Sequence, residues 1–258
     1  MQIDLNSDLG EGYGPWAMGD DRAMLDLVTS ANVACGGHAS DPDTMFETLT
    51  LAAERGVVIG AHPGYPDRTG FGRRVIPMAP AEISRMVAAQ VGALQALAAL
   101  ARAQVRYVKP HGALGNLAAD DRPVADAIVD AVRVLPGELA ILAISGSELE
   151  LAGRDAGLRV YSEVFADRAY LPNGRLVPRS REGAVLHDPE AISERLIRFL
   201  ATGNMPLPDG GGIALAADSI CVHGDTPGAV DMARRIRERL AGAGILLKPF
   251  VQGRGRLT

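Results

Sequence analysis

The sequence predicts an α/β fold, an irregular, seven-stranded (β/α) barrel of the TIM type. Three observations carry that expectation. Short apolar runs alternate with amphipathic helical segments about seven times, where a regular closed barrel has eight, and such alternation implies a parallel sheet wound by right-handed crossovers. The chain has 258 residues, the size at which these barrels form one domain. Finally, four of the five histidines, His38, His62, His111 and His223, end apolar runs beside glycine. In a parallel barrel the C-terminal strand ends form one ring, and active sites lie there.

The strands are expected at residues 2–6, 32–35, 57–61, 105–109, 139–144, 160–165 and 219–222. Between them, helices announce themselves by their punctuation. Asp41-Pro42 and Asp188-Pro189 pair an N-cap with proline at the first helical position, and Gly56 and Gly203 follow the two helix ends. Pro80 opens a helix whose Ile83, Val87, Val91, Leu94 and Leu97 share one face. Residues 121–134 form another, stopped by Pro136-Gly137; Ser147 caps a further one ending at Gly157, and Thr226-Pro227 begins the last. Two connections, 62–78 and 167–181, are longer than ordinary loops and follow strands, so both should overhang the site. Gly210-Gly211-Gly212 leads into a short extra strand at 213–216. Neither a repeat nor a low-complexity linker divides residues 1–258.

Composition narrows the function. At 47% hydrophobic but 4% aromatic, the core should be filled by Val, Ile, Leu and Ala, as in a sheet covered on both faces. A net charge of −5 without a basic run excludes nucleic acid as the expected partner. Two cysteines, Cys35 and Cys221, at predicted strand ends suit small buried residues in a reducing cytosol better than a disulfide framework. The N-terminus shows no signal peptide, and no run approaches the roughly 20 apolar residues of a membrane helix.

Candidate catalytic residues are Asp8, His38, His62, Lys109, His111 and His223. Asp8, near Glu11, suits a general base or a metal ligand, because paired carboxylates in a pocket can have divergent pKa values. Asp8, His38 and His62 could bind a divalent first-row ion; equally, the histidines could act as acid and base on a polar substrate. Pro110 holds Lys109 extended at its strand end, where the ammonium can clamp an anion or stabilise developing negative charge. Glu11, Glu163, Asp167, Arg168, Arg179 and Asp225 complete the set as substrate-binding candidates, Arg168 and Arg179 being suited to planar anions. Asp225 could equally cap the last helix.

Six segments carry a family resemblance: 4–11 (Asp-Leu-Asn-Ser-Asp-Leu-Gly-Glu), 30–38, 60–67, 109–114, 165–168 and 221–225. In content and order they resemble the LamB/YcsF family up to about Asp225. The resemblance implies a (β/α) barrel of the glycoside hydrolase/deacetylase type. It also implies ATP-dependent opening of 5-oxoproline (pyroglutamate) to L-glutamate, together with the B and C subunits of a 5-oxoprolinase. Ser7 stands where the family often has Cys, and Gly115 where Tyr is common. The sequence has no G-x-x-x-x-G-K-[ST] loop, and Gly10-Glu11-Gly12-Tyr13-Gly14 is no dinucleotide fingerprint, so ATP is expected to be handled with the partner subunits. A stand-alone metal-dependent deacetylase or amidohydrolase is one alternative, and a non-catalytic carboxylate-binding component of a larger enzyme is the other.

Overall fold

The computed structural model describes residues 1–224 and 228–251. In chain order the elements are β1 (Gln2–Leu9), α1 (Asp21–Leu25), β2 (Ser30–Ala34), α2 (Pro42–Glu54), β3 (Val58–His62) and α3 (Pro80–Leu100). There follow β4 (Val105–Val108), α4 (Gly112–Ala118), α5 (Arg122–Val134), β5 (Ala140–Ile144), α6 (Glu148–Asp155) and β6 (Val160–Phe165). The chain continues through α7 (Pro189–Thr202), β7 (Asn204–Pro206), β8 (Gly212–Ala214), β9 (Ser219–Cys221), α8 (Ala229–Gly242) and β10 (Leu246–Leu247).

Strands β1 to β6 and β9 pair in parallel, and β1 returns to pair with β9, closing a seven-stranded barrel. Gln2 and Ile3 of β1 pair instead with β10, which supplies a fragment of an eighth strand at the N-terminal end. β7 and β8 form a separate antiparallel ribbon. The expected caps are in place: Asp41, Ser147 and Asp188 each accept backbone N–H groups of the following turn, and Asp121 does the same for α5. The opening of the last helix at Thr226-Pro227 lies outside the described residues.

Two expectations need correction. The apolar core occupies the layer between strands and helices, whereas much of the barrel interior is polar, because β1 puts Asp4, Asn6 and Asp8 on its inner face. A separate apolar plug of Val58, Tyr107, Ala140, Leu142 and Val251, with Tyr161 and Phe250 against it, packs in the interior. Gly60 makes room for that plug: a Cβ there would lie 2.2 Å from the Tyr107 ring. Second, α3 is long and apolar enough, by length and composition, to cross a membrane. Its Ile83, Val87, Val91 and Leu94 are buried in the main core, which accounts for its apolarity within this fold.

Candidate active site

Alternation along β1 sends Asp4, Asn6 and Asp8 inward at successive levels, while Leu5 and Leu9 join the outer core. Asn6 Nδ2 donates to Glu163 Oε1 at 3.0 Å and Ser219 Oγ at 2.6 Å, and Asn6 Oδ1 accepts from Asn32 Nδ2 at 2.7 Å. Asn32 Nδ2 also donates to Asp8 Oδ1 at 2.8 Å, and Asn32 Oδ1 accepts from the Tyr107 hydroxyl at 2.6 Å. Above this net sits Lys109, whose Nζ is 2.8 Å from Asp8 Oδ1, 3.0 Å from Glu163 Oε1 and 3.1 Å from Cys221 Sγ.

Electrostatics follow from the burial of these charges together. Burial opposes ionisation of Asp8, yet His62 and Lys109 hold its carboxyl well below the usual range. Burial likewise opposes the Lys109 charge, but the Asp8 and Glu163 carboxylates keep the ammonium pKa well above its ordinary value. Glu163 is raised by burial, which Lys109 only partly offsets. Lys109 is therefore not the free anion clamp expected from sequence. Its charge is engaged by two carboxylates, and its first effect is to keep Asp8 ionised and fixed. Burial pushes the Cys221 thiol well above its usual range and Cys35 up to about 12, so neither is poised as a thiolate.

The histidines form a second layer at the mouth. His62 Nδ1 donates to the Lys109 carbonyl at 2.7 Å, and His111 Nε2 donates to the Phe71 carbonyl at 2.8 Å. These tautomers follow from the partners, since a carbonyl oxygen only accepts. The remaining ring nitrogens, His62 Nε2 and His111 Nδ1, face each other at 2.9 Å. Asp8 Oδ2 lies 3.3 Å from His62 Nε2, and Glu11 Oε1 lies 3.7 Å from His111 Nδ1. His38 stacks flat on His111 with ring centroids 3.6 Å apart, and its Nε2 is 3.3 Å from Glu11 Oε1. Burial, then the neighbouring imidazoles, pushes the pKa of His38 well below the ordinary histidine value, and that of His111 falls for the same reasons. Loop 62–78 closes over this layer as expected. Phe71 packs edge-on against His38 and His111, and at Gly72 a Cβ would meet His38 and His111 at 2.7 and 2.8 Å.

Across the mouth, His223 Nδ1 lies 2.8 Å from both oxygens of Asp167, and its ring stacks on Phe165. Burial disfavours the Asp167 carboxylate, but His223 holds it below the usual range. An Asp–His pair of this kind fixes the tautomer, leaving Nε2 with its lone pair for proton transfer. Arg168 is anchored to the Val177 carbonyl at 2.6 Å and the Ala184 carbonyl at 3.2 Å. Burial and the nearby Arg179 bring its pKa down to about 10, so it stays charged at neutral pH.

A cavity of about 380 Å³ joins both sides of the mouth. Asp8, Glu11, His62, Lys109, His111, Glu163, Arg168, Arg179 and His223 line it. Two candidates stand behind the wall: His38, against Glu11 and His111, and Asp167, behind His223. Asp225 lies outside the described residues. The donor atoms that cluster within 4.8 Å are those of Glu11, His38, His62 and His111, so the expected Asp8–His38–His62 set is regrouped; Asp8 clusters with Cys221 and His223. Sequence reading missed Asn6, Asn32 and Tyr107, which orient the charged groups. Polar residues recurring at every second position of β1 were the available signal. At Gly115 a Cβ would sit 2.6 Å from the Pro110 carbonyl, and Ser7 donates to the Val222 carbonyl at 2.7 Å.

Fold and site together define a (β/α) barrel with a buried acid–base pocket at the C-terminal strand ends. The chain belongs to the LamB/YcsF family, whose model matches residues 3–255. It is 53% identical over 248 residues to a 5-oxoprolinase A-type subunit of Pseudomonas syringae pv. tomato, covering 96% of this chain and 97% of that one. It is 54% identical to the 5-oxoprolinase A-type subunit of Nocardia farcinica, covering 97% and 100%. The crystal structure of a lactam utilization protein from Thermus thermophilus superposes with a TM-score of 0.90 at 43% identity, covering 96% of this chain and 99% of that one.

Proposed function

We propose that this chain is the A-type subunit of an ATP-dependent 5-oxoprolinase and that its mouth cavity is where 5-oxo-L-proline is opened to L-glutamate. The observation that carries this reading is the full-length similarity to 5-oxoprolinase A-type subunits together with a cavity lined by His223, Arg168, Arg179 and the Asp8 carboxylate. Arg168 and Arg179 are suited to the substrate carboxylate. His223, oriented by Asp167, takes a proton from water as its oxygen bonds to the ring carbonyl carbon. The C–N bond then breaks, and the ring nitrogen leaves as the amine after receiving a proton.

A lactam is a poor electrophile, so ATP is needed to activate it. Transfer of the γ-phosphoryl group to the carbonyl oxygen gives ADP; water attack and C–N cleavage then leave an acyl phosphate, which a second water hydrolyses. 5-Oxoproline, ATP and two waters thus give glutamate, ADP and phosphate. The chain has no phosphate-binding loop of its own, which supports assigning the ATP step to the B and C subunits in the cytosol. The test is glutamate release with matched ATP consumption, run on the chain alone and with B and C added. We expect near-inactivity alone and coupled turnover on reconstitution. Robust ATP-independent release by the chain alone would contradict the proposal and favour a stand-alone hydrolase.

A further inference from the structure

Ring opening needs a proton for the departing nitrogen, and several groups of the cavity are unsuited to give one. The Lys109 ammonium holds its proton too tightly, because two carboxylates keep it well above the ordinary range. Asp8 is kept ionised by His62 and Lys109, while burial and His62 hold His111 well below the usual histidine range. Glu163 differs from all three. Burial raises its carboxyl, and Lys109 offsets that only in part. Two acids that share one lysine are thus driven apart, the pattern that separates a proton donor from a fixed anion.

The hydrogen bonds of Glu163 suit a neutral acid. Its Oε1 meets both donors, Lys109 Nζ at 3.0 Å and Asn6 Nδ2 at 3.0 Å, as the carbonyl oxygen of an un-ionised carboxyl does. Oε2 makes no hydrogen bond with the described residues, so it is the atom left to carry a proton into the cavity that Glu163 lines. With both acids ionised, Asp8, Lys109 and Glu163 bury one negative charge in excess. An anionic substrate that displaces water from the cavity adds to that excess and removes its solvation, and both effects drive a proton onto Glu163. Strand β6, which carries Glu163, pairs with β9, which leads into His223.

We infer that Glu163 is the general acid of ring opening, its Oε2–H protonating the ring nitrogen in the cavity where His223 activates water. This rests on the oxoprolinase reading. As the C–N bond breaks, its electron pair stays on nitrogen and takes the Oε2 proton. The carboxylate left behind faces the Lys109 ammonium at 3.0 Å, and the proton that His223 took from water balances the one given up.

The test uses the chain assembled with B and C, each variant being checked for assembly and by circular dichroism. Glu163→Gln keeps the shape, an acceptor and a donor, but has no proton to transfer. Its kcat on 5-oxoproline should fall about 10²–10⁴-fold with KM little changed, and Glu163→Asp should recover part of the loss. Wild-type turnover should decline at alkaline pH, where the acid loses its proton, and that limb should be absent from Glu163→Gln. The titratable groups facing Glu163 are Asp4 and Asp8 of β1, Tyr107 and Lys109 at the end of β4, Cys221 of β9 and Tyr170; of these, only Asp4, at about 6, titrates near neutrality. On the γ-lactone analogue, whose ring oxygen leaves with far less need of a proton, the loss should be much smaller. Wild-type turnover of the lactam by the assembled Glu163→Gln complex would overturn the inference, as would equal losses on lactam and lactone. If Glu163→Gln does not fold, the same comparison on Glu163→Asp decides, since the shortened acid must be slowed more on the lactam. Failure of the wild-type chain to give coupled turnover with B and C would overturn the oxoprolinase reading, and this inference with it.

Discussion

At the scale of single residues, the site is organised by Lys109 more than by any histidine. Asp8 and Glu163 both contact its Nζ and all three side chains are buried, so removing the ammonium strands two carboxylates in the barrel. Breaking a buried pair by deleting one partner typically costs about 3–5 kcal/mol. Lys109→Met should therefore lower unfolding stability by that amount at pH 7, as well as impairing turnover. The loss should shrink as pH is lowered from 7 to 5, because burial raises the Glu163 carboxyl and the variant lacks the ammonium that partly offsets it. Adding Glu163→Gln should recover part of it. Urea unfolding of the single and double variants at both pH values checks this, and an unchanged midpoint for Lys109→Met would refute it. Sequence placed Lys109 at the mouth from its neighbours Pro110 and His111. It could not give the pairing, since Asp8 and Glu163 lie 101 and 54 positions away and meet Lys109 only once the barrel closes.

At the scale of elements, β1 shows how alternation decides chemistry. Its inner face carries Asp4, Asn6 and Asp8, and the two acids behave oppositely. Asp8 has a lysine. Asp4 has only hydroxyls, Thr29 and Ser30 each at 2.6 Å and Ser219 also donating, and burial raises its carboxyl to about 6. Because that folded value lies above the ordinary 3.8, the stability Asp4 contributes is complete below about pH 4 and is lost as pH rises through 6. Relative to Asp4→Asn, the wild-type chain should lose on the order of 3 kcal/mol between those limits. Denaturant unfolding of both proteins at pH 4 and pH 7 measures the difference, and parallel pH profiles would exclude it.

A second element-scale prediction concerns α2. Asp41 accepts from the Asp43 and Thr44 amides at 3.0 and 3.1 Å. Asp41→Ala should cost about 1 kcal/mol in unfolding stability, and a midpoint equal to wild type would mean the cap is idle. Caps, prolines and helical faces were legible in sequence because each is a local signal. By contrast, α4 directly follows Lys109-Pro110-His111, and its Gly112 and Gly115 masked the helical pattern. β10 is two residues long and exists only through its pairing with β1.

For the whole molecule, the barrel makes one pocket from strand ends spread over most of the chain. Asp8 and His223 are 215 positions apart in sequence and line the same cavity. The plug of Phe250 and Val251 with Tyr107 and Val58 fills the interior below the polar net, so the cavity is left at the C-terminal mouth. Convergence of the strand ends could be anticipated because fold topology dictates it. The sorting within the ring could not: His38 falls behind His111, and Asp167 behind His223, through loop geometry that spacing does not encode. The central claim is that ring opening takes place in this cavity rather than in a partner protein. It is tested by His223→Gln in the complex reconstituted with B and C, with assembly verified by size-exclusion chromatography and glutamate release measured at saturating ATP. The account predicts an intact complex whose glutamate release falls by about 10²–10⁴-fold, the usual contribution of a general base; wild-type release from the assembled variant complex would contradict it.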